Sequence, residues 1–115
     1  MLRALITVIV TTISAVSLGQ TSYELSLDSQ RQAGIPQGEI IQLRFEESEI
    51  YRNTERDWWI YVPDQYDGQT PAALMVFQDG AAYLNETGPI RVPVVFDNLI
   101  HRGEMPVTIG VFVNP

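Results

Sequence analysis

Apolar and polar positions follow two different rhythms along this chain. Glu39-Ile-Ile-Gln-Leu-Arg-Phe45 alternates apolar and polar after Ile41, the period-2 pattern of a half-exposed strand. Arg56-Asp-Trp-Trp-Ile-Tyr-Val-Pro63 is a second strand, rich in aromatic and β-branched residues. Pro63 to Gly68 closes it as a turn, with Asp67-Gly68 the strong local signal. The rhythm then changes. Ala72 to Phe77 is apolar without alternation, so a strand with both faces buried is expected there. It stops abruptly at Gln78-Asp79-Gly80, and Gly80 to Pro89 reads as a loop. Arg91 to Ile100 fits a helix, with Val94, Val95 and Leu99 along one face and Phe96 a further candidate. Gly103 and Pro106 are its stop signals. Val107 to Val113 is a fourth, continuously apolar strand.

Two antiparallel-looking strands followed by strand, helix and strand place the chain in the α/β class. The expected architecture is about four strands and one main helix, the helix laid on one sheet face by a right-handed crossover. Strands apolar on both sides need cover on both faces, and one helix covers one. The sheet is therefore expected to be an incomplete part of a larger one, with open edges.

The segments ahead of the sheet differ in composition. Arg3 supplies a positive start, and Ala4 to Val16 is an apolar run too short to span a bilayer comfortably. Ala15-Val-Ser17 and Ser17-Leu-Gly19 both offer small-residue cleavage sites. Residues 1–19 are read as a signal peptide cut after Gly19, with a buried helix and a retained anchor as the competing readings. No cysteine follows the apolar run, which excludes a bacterial lipoprotein. The mature protein is then exported, to the periplasm or outside the cell, with no membrane association after cleavage. Residues 20–38 are polar, punctuated by Gly34, Pro36 and Gly38, and read as an extended arm. Residues 39–115 form the folded part.

Charge and residue inventory exclude several chemistries. The net charge is −7 and all seven basic residues are arginine, which argues against nucleic acid as a partner. Without cysteine there is no disulfide, thiolate metal site or cysteine nucleophile. His101 is the sole histidine, so no metal site built on several imidazoles is possible. No metal or cofactor is expected.

Three stretches together carry a family resemblance. Tyr61-Val-Pro-Asp-Gln-Tyr66, Pro71-Ala-Ala-Leu-Met-Val-Phe-Gln-Asp-Gly80 and Arg91-Val-Pro-Val-Val-Phe-Asp-Asn-Leu-Ile100 resemble the N-terminal part of enterochelin-esterase-like proteins, a branch of the α/β-hydrolases. Gly103-Glu-Met-Pro-Val-Thr-Ile-Gly110 continues the match, which covers roughly Tyr23 to Pro115. The resemblance implies a doubly covered, mostly parallel sheet. It implies hydrolysis of small-molecule carboxylic esters by a serine triad whose nucleophile sits in G-x-S-x-G. None of the serines here has glycine two positions away on both sides. In the family the triad lies beyond the part matched, so no catalytic residue carries over and the chain alone is expected to be inactive. In α/β-hydrolases the loop after the third strand lends one oxyanion-hole amide. By resemblance that amide belongs to Gly80 or Ala81, with Gln78, Asp79 and Tyr83 as substrate-side loop candidates. The resemblance also implies that the strand ending at Gln78 pairs with the serine-bearing strand.

Several residues admit plainer readings. Asp79 is expected to tie the loop by bonding backbone amides rather than to act as an acid. His101 sits where a helix C-terminus favours a cation. Asp97 and Asn98 are expected on the solvated or loop-facing side of the helix. Asn85-Glu-Thr87 matches a glycosylation sequon, a pattern that recurs by chance. Trp58 and Trp59, adjacent on a strand, point to opposite faces, so core packing is expected before a sugar platform. A small secreted carbohydrate-binding module using Trp58, Trp59, Tyr61 and Tyr66 is the competing function.

Overall fold

The computed structural model describes residues 23–115. The expected signal segment and its cleavage site lie outside the described residues. Four strands form one mixed sheet: β1 (Glu39–Phe45), β2 (Arg56–Val62), β3 (Ala73–Gln78) and β4 (Thr108–Val113), in the order β1-β2-β4-β3. β1 and β2 pair antiparallel with Ile41 opposite Ile60, and β4 pairs antiparallel with β2. β3 runs parallel to β4 from Ala73 opposite Thr108 to Gln78 opposite Val113. Parallel neighbours need a crossover, and α2 (Val92–His101) supplies it.

α2 forms for local reasons. Pro93 lies in the first turn, where a missing N–H costs nothing. At the other end Glu104 N–H reaches Leu99 O and Gly103 N–H reaches Ile100 O, both at 3.0 Å. Gly103 takes φ +72°, so the exit is a Schellman turn that needs a residue without Cβ. The buried face matches the expected one only in part: Val94 and Phe96 are buried as expected, but Val92 and Ile100 join Phe96 in the core, while Val95 and Leu99 are half-buried. The i, i+4, i+8 spacing was present in the sequence, but β-branched residues all round the helix masked it.

The core is small and aromatic. Tyr61 and Phe112 are fully buried, and Phe77 stacks on Phe112 at 4.7 Å. Phe96 meets Tyr61 edge-on at 5.7 Å. Each such ring contributes about 1.5–3 kcal/mol by leaving water. All of this lies on the sheet face beneath α2. Leu43, Trp58, Ile60, Val111 and Leu74 alternate onto the other face, and none of them is buried. β3 therefore departs from its expected burial: Leu74 is 67% and Val76 60% exposed. The apolar run was read correctly as a strand, but the expected burial of both its faces fails: among the described residues only one face has cover.

The arm is not a free linker. Residues 27–29 make a 3₁₀ turn, and the arm is fastened to α2 by buried polar groups. The Asp97 carboxylate, 2% exposed, accepts from Gly38 N–H at 2.8 Å, from Tyr61 O–H at 2.7 Å and from Arg31. Arg31 also pairs with Glu86, tying in the segment that leads into α2. Asn98, 1% exposed, donates to the carbonyls of Asp28 and Gln30 at 2.8 and 2.9 Å. The expectation that Asp97 and Asn98 are solvated fails, because the arm covers them; the loop-facing part of that expectation holds.

Tyr61 gives this network a pH signature. Burial pushes its hydroxyl well above the ordinary value of 10, and the Asp97 carboxylate adds to the rise. The native state thus holds a proton that the unfolded chain releases. Stability from the neutral hydroxyl is intact below pH 10 and falls above it, by up to about 1.4 kcal/mol per pH unit. Urea unfolding from pH 9 to 11 is expected to show a steeper decline for the unsubstituted chain than for Tyr61→Phe; parallel declines contradict the assignment.

Candidate functional site

β3 and β4 end level with each other, Gln78 beside Val113, and the chain turns sharply at that edge. Carboxyl ends of parallel strands are where α/β folds gather chemistry, since the loops there converge without covering one another. The turn depends on Asp79, which adopts φ 62°, ψ 41°. That left-handed conformation costs a non-glycine residue energy, and Asp tolerates it better than most. Directly after it, Gly80–Leu84 forms a short helix, α1. This corrects the loop expected from Gly80 to Pro89: the helix is five residues long, and two alanines with Tyr and Leu carry too weak a periodicity to announce it.

The expected loop-tying role of Asp79 also fails. Its side chain makes no capping hydrogen bond. Asn114 performs that task from the neighbouring strand, its Oδ1 accepting from Ala81 N–H at 2.9 Å. Asn114 is itself held, its backbone N–H donating to Asp57 O at 3.0 Å. Sequence reasoning missed this residue. The available signal was a lone amide side chain immediately after a continuously apolar strand.

Gly80 has a structural cause for its missing side chain. A Cβ there would stand 2.6 Å from both Phe112 C and Val113 N. The glycine is therefore fixed by close approach of α1 to β4. Among the described residues, Gly80 N–H meets no acceptor. A left-handed residue followed by a helical one turns successive N–H groups toward one concavity. The amides of Gly80 and Ala81 thus lie at the carboxyl edge of the sheet, that of Gly80 in a buried residue and that of Ala81 bonded to Asn114.

The remaining candidates separate. Gln78 and Asp79 are exposed at the turn. Tyr83 is half-buried and packs on Phe77 at 5.3 Å, so it forms a wall of the core beside the turn. His101 ends α2, exposed, at the end of the helix that leads into the start of β4, away from Gln78. That agrees with the helix-end reading and removes it from the candidate site. The aromatic residues do not form one platform. Tyr61 is buried, Trp59 packs against the core, and Trp58 lies on the opposite face in a shallow apolar pocket with Phe45, Arg56 and Val113. Tyr66 lines a separate pocket with Asp67, Thr70 and Val107. Among the described residues no group of three or more acidic or imidazole side chains could hold a metal, and no helix is long and apolar enough to cross a membrane.

No protein-family model and no curated protein matches the chain. Solved structures do. A structure described as FAE shares 15% identity at a TM-score of 0.61, covering 76% of this chain and 30% of its own. A serine-to-alanine variant of the feruloyl esterase module from Clostridium thermocellum, complexed with sinapinate, shares 16% at 0.59, covering 79% and 31%. A CE1 ferulic acid esterase from the anaerobic fungus Anaeromyces mucronatus, in complex with ferulic acid, shares 18% at 0.58, covering 74% and 31%. The chain thus spans about a third of the length of the structures it matches. At these identities the likeness identifies a fold: four strands and a crossover helix arranged as in part of an α/β-hydrolase esterase.

Proposed function

We propose that this chain is the N-terminal portion of an exported serine esterase, of the enterochelin-esterase-like branch, and that it contributes the oxyanion loop to a site hydrolysing small-molecule carboxylic esters. The observation that carries the reading is the turn at Gln78-Asp79-Gly80. It joins a parallel strand to a helix at the carboxyl edge of the sheet, with a left-handed Asp79 directly ahead of the Gly80 and Ala81 amides. Acyl transfer builds negative charge on a carbonyl oxygen, and one preorganised N–H at that point is worth about 3–4 kcal/mol in measured cases. β3 is an edge strand, so a further parallel strand could pair beside it and bring a nucleophile to this turn.

Supporting this are the ordered sequence resemblance from Tyr61 onward and the fold shared with feruloyl esterases. Two of those proteins hold sinapinate and ferulic acid, which favours an aromatic acyl group as the substrate class. Residues 1–19 serve as the export signal. The chain itself has no serine in a G-x-S-x-G context, and an oxyanion loop without a nucleophile and base gives little turnover.

The test has two parts. Purified 115-residue chain is expected to hydrolyse p-nitrophenyl acetate no faster than a Gly80→Val variant. The product of the whole reading frame that encodes Pro115 is expected to contain G-x-S-x-G and to be active. Hydrolysis by the 115-residue chain above that variant, or a frame without the motif, sinks the reading.

A further inference from the structure

We infer that the open face of the sheet carries a separate binding site: a slot for a planar aromatic carboxylate, walled by Phe45 and Trp58, with Arg56 as the partner of the anion. It stands apart from the esterase reading, since α1 and α2 pack on the other face, against Tyr61 and Phe112.

The slot follows from the strand register. Phe45 ends β1, Arg56 begins β2 and Val113 ends β4, so all three lie at one edge of the sheet. Phe45 stands opposite Arg56, and Trp58 opposite Val113, so the four side chains share a face. Phe45 and Trp58 are then diagonal neighbours, about 7–8 Å apart. That is about twice the 3.5–4.0 Å of carbon–carbon contact, a spacing in which one flat ring touches both walls. The four residues line a cavity of about 210 Å³. Pockets for drug-sized ligands start at about 300 Å³, so this one has room for a single ring with a short tail.

Charge selects the rest of the ligand. The chain carries a net charge of −7, yet Arg56 has no carboxylate partner among the described residues. Its acidic neighbours in sequence, Glu55 and Asp57, both pair with Arg44, as does Glu46. Alternation is the cause: Arg44 stands opposite Asp57 on one face, and Arg56 opposite Phe45 on the other. Among the described residues the Arg56 side chain makes one hydrogen bond, Nη1–H to Glu55 O at 2.8 Å. Its remaining N–H groups are open to a carboxylate, which a guanidinium holds through two parallel bonds. A sugar would need polar partners around each of its hydroxyls, and these walls offer only the guanidinium. An aromatic ring with a carboxylate on a short tail uses both halves of the site.

The experiment titrates the 115-residue chain with cinnamate and follows the Trp58 indole N–H by ¹H–¹⁵N correlation. A saturable shift is expected with a Kd of about 1 mM, the strength a ligand of this size reaches in a shallow pocket. Arg56→Gln is expected to weaken cinnamate about tenfold or more and to leave cinnamamide, its neutral analogue, within about twofold. Cinnamamide binding thereby also reports that the variant is folded. Hexanoate, with the charge but no ring, is expected to bind about fivefold more weakly than cinnamate. No saturable shift up to about 10 mM cinnamate overturns the site. Equal weakening of cinnamate and cinnamamide by Arg56→Gln overturns the role of the charge, and hexanoate binding as tightly as cinnamate overturns that of the ring. The product of the whole reading frame is expected to bind cinnamate equally well; loss of binding there means that another part of the polypeptide covers this face, which overturns the site too.

Discussion

Asp97→Ala is expected to bring the domain close to unfolding at 25 °C. One carboxylate here satisfies three donors: Gly38 N–H, Tyr61 O–H and the Arg31 guanidinium. Its removal leaves a fully buried phenol without an acceptor and Arg31 with only Glu86 as a carboxylate partner. Breaking a buried pair by deleting one partner costs about 3–5 kcal/mol. A domain of this size has about 5–15 kcal/mol in total. Asp97→Asn separates charge from hydrogen bonding. It keeps Oδ1 for Gly38 and Tyr61 and loses only the ionic partner of Arg31, which is about a third exposed and therefore screened. A loss of about 1–2 kcal/mol is expected for it. Urea unfolding followed by tryptophan fluorescence reads both. Equal losses from the two variants would mean that charge, not hydrogen bonding, holds the arm, and a loss under 1 kcal/mol for Asp97→Ala contradicts the network outright.

The same cluster shows where sequence reasoning stopped. Every strand was legible within a residue or two, because alternation in Glu39–Phe45 and unbroken apolar runs at β3 and β4 are local patterns. The exit of α2 was legible at Gly103 for the same reason. Asp97 and Asn98 were not, because their burial depends on residues about sixty to seventy positions earlier folding over them. A polar pair on a helix reads as solvent-facing until something is known to cover it. The candidate site divides in the same way. Asp79-Gly80 at a strand end is visible as a turn, and the left-handed Asp79 agrees with it. Its cap is not visible, since Asn114 lies 33 positions away in sequence and is adjacent only through the parallel pairing of β3 with β4. The exposure of β3 was hidden for a different reason: an apolar run reports what a strand is suited to touch, not whether anything is packed against its second face.

Gly80→Ala offers the second large effect and a test in which two principles oppose each other. Alanine in place of glycine within a helix ordinarily stabilises by about 1 kcal/mol, and Gly80 is not among the residues with positive φ. Propensity alone therefore predicts a more stable protein. Packing predicts the reverse. The new Cβ would fall 2.6 Å from Phe112 C and Val113 N, against about 3.4 Å or more for ordinary contact. Those atoms cannot yield, because Phe112 and Val113 are paired on both sides, to Trp59 and Trp58 in β2 and to Phe77 and Gln78 in β3. α1 must move instead, and its movement pulls Ala81 from Asn114 and Tyr83 from Phe77. Overpacking against a rigid partner costs about 1–3 kcal/mol, which exceeds the propensity gain. A net loss of about 1–2 kcal/mol is expected, rising further for Gly80→Val. Gly88→Ala is the control, since a Cβ there would meet Asn85 atoms only at 3.4 Å and should be nearly neutral. Thermal unfolding of the three variants decides it: a Gly80→Ala protein that melts above the unsubstituted chain would show that α1 does not sit against β4 as described, and would remove the rigid seat on which the placement of the Gly80 amide depends.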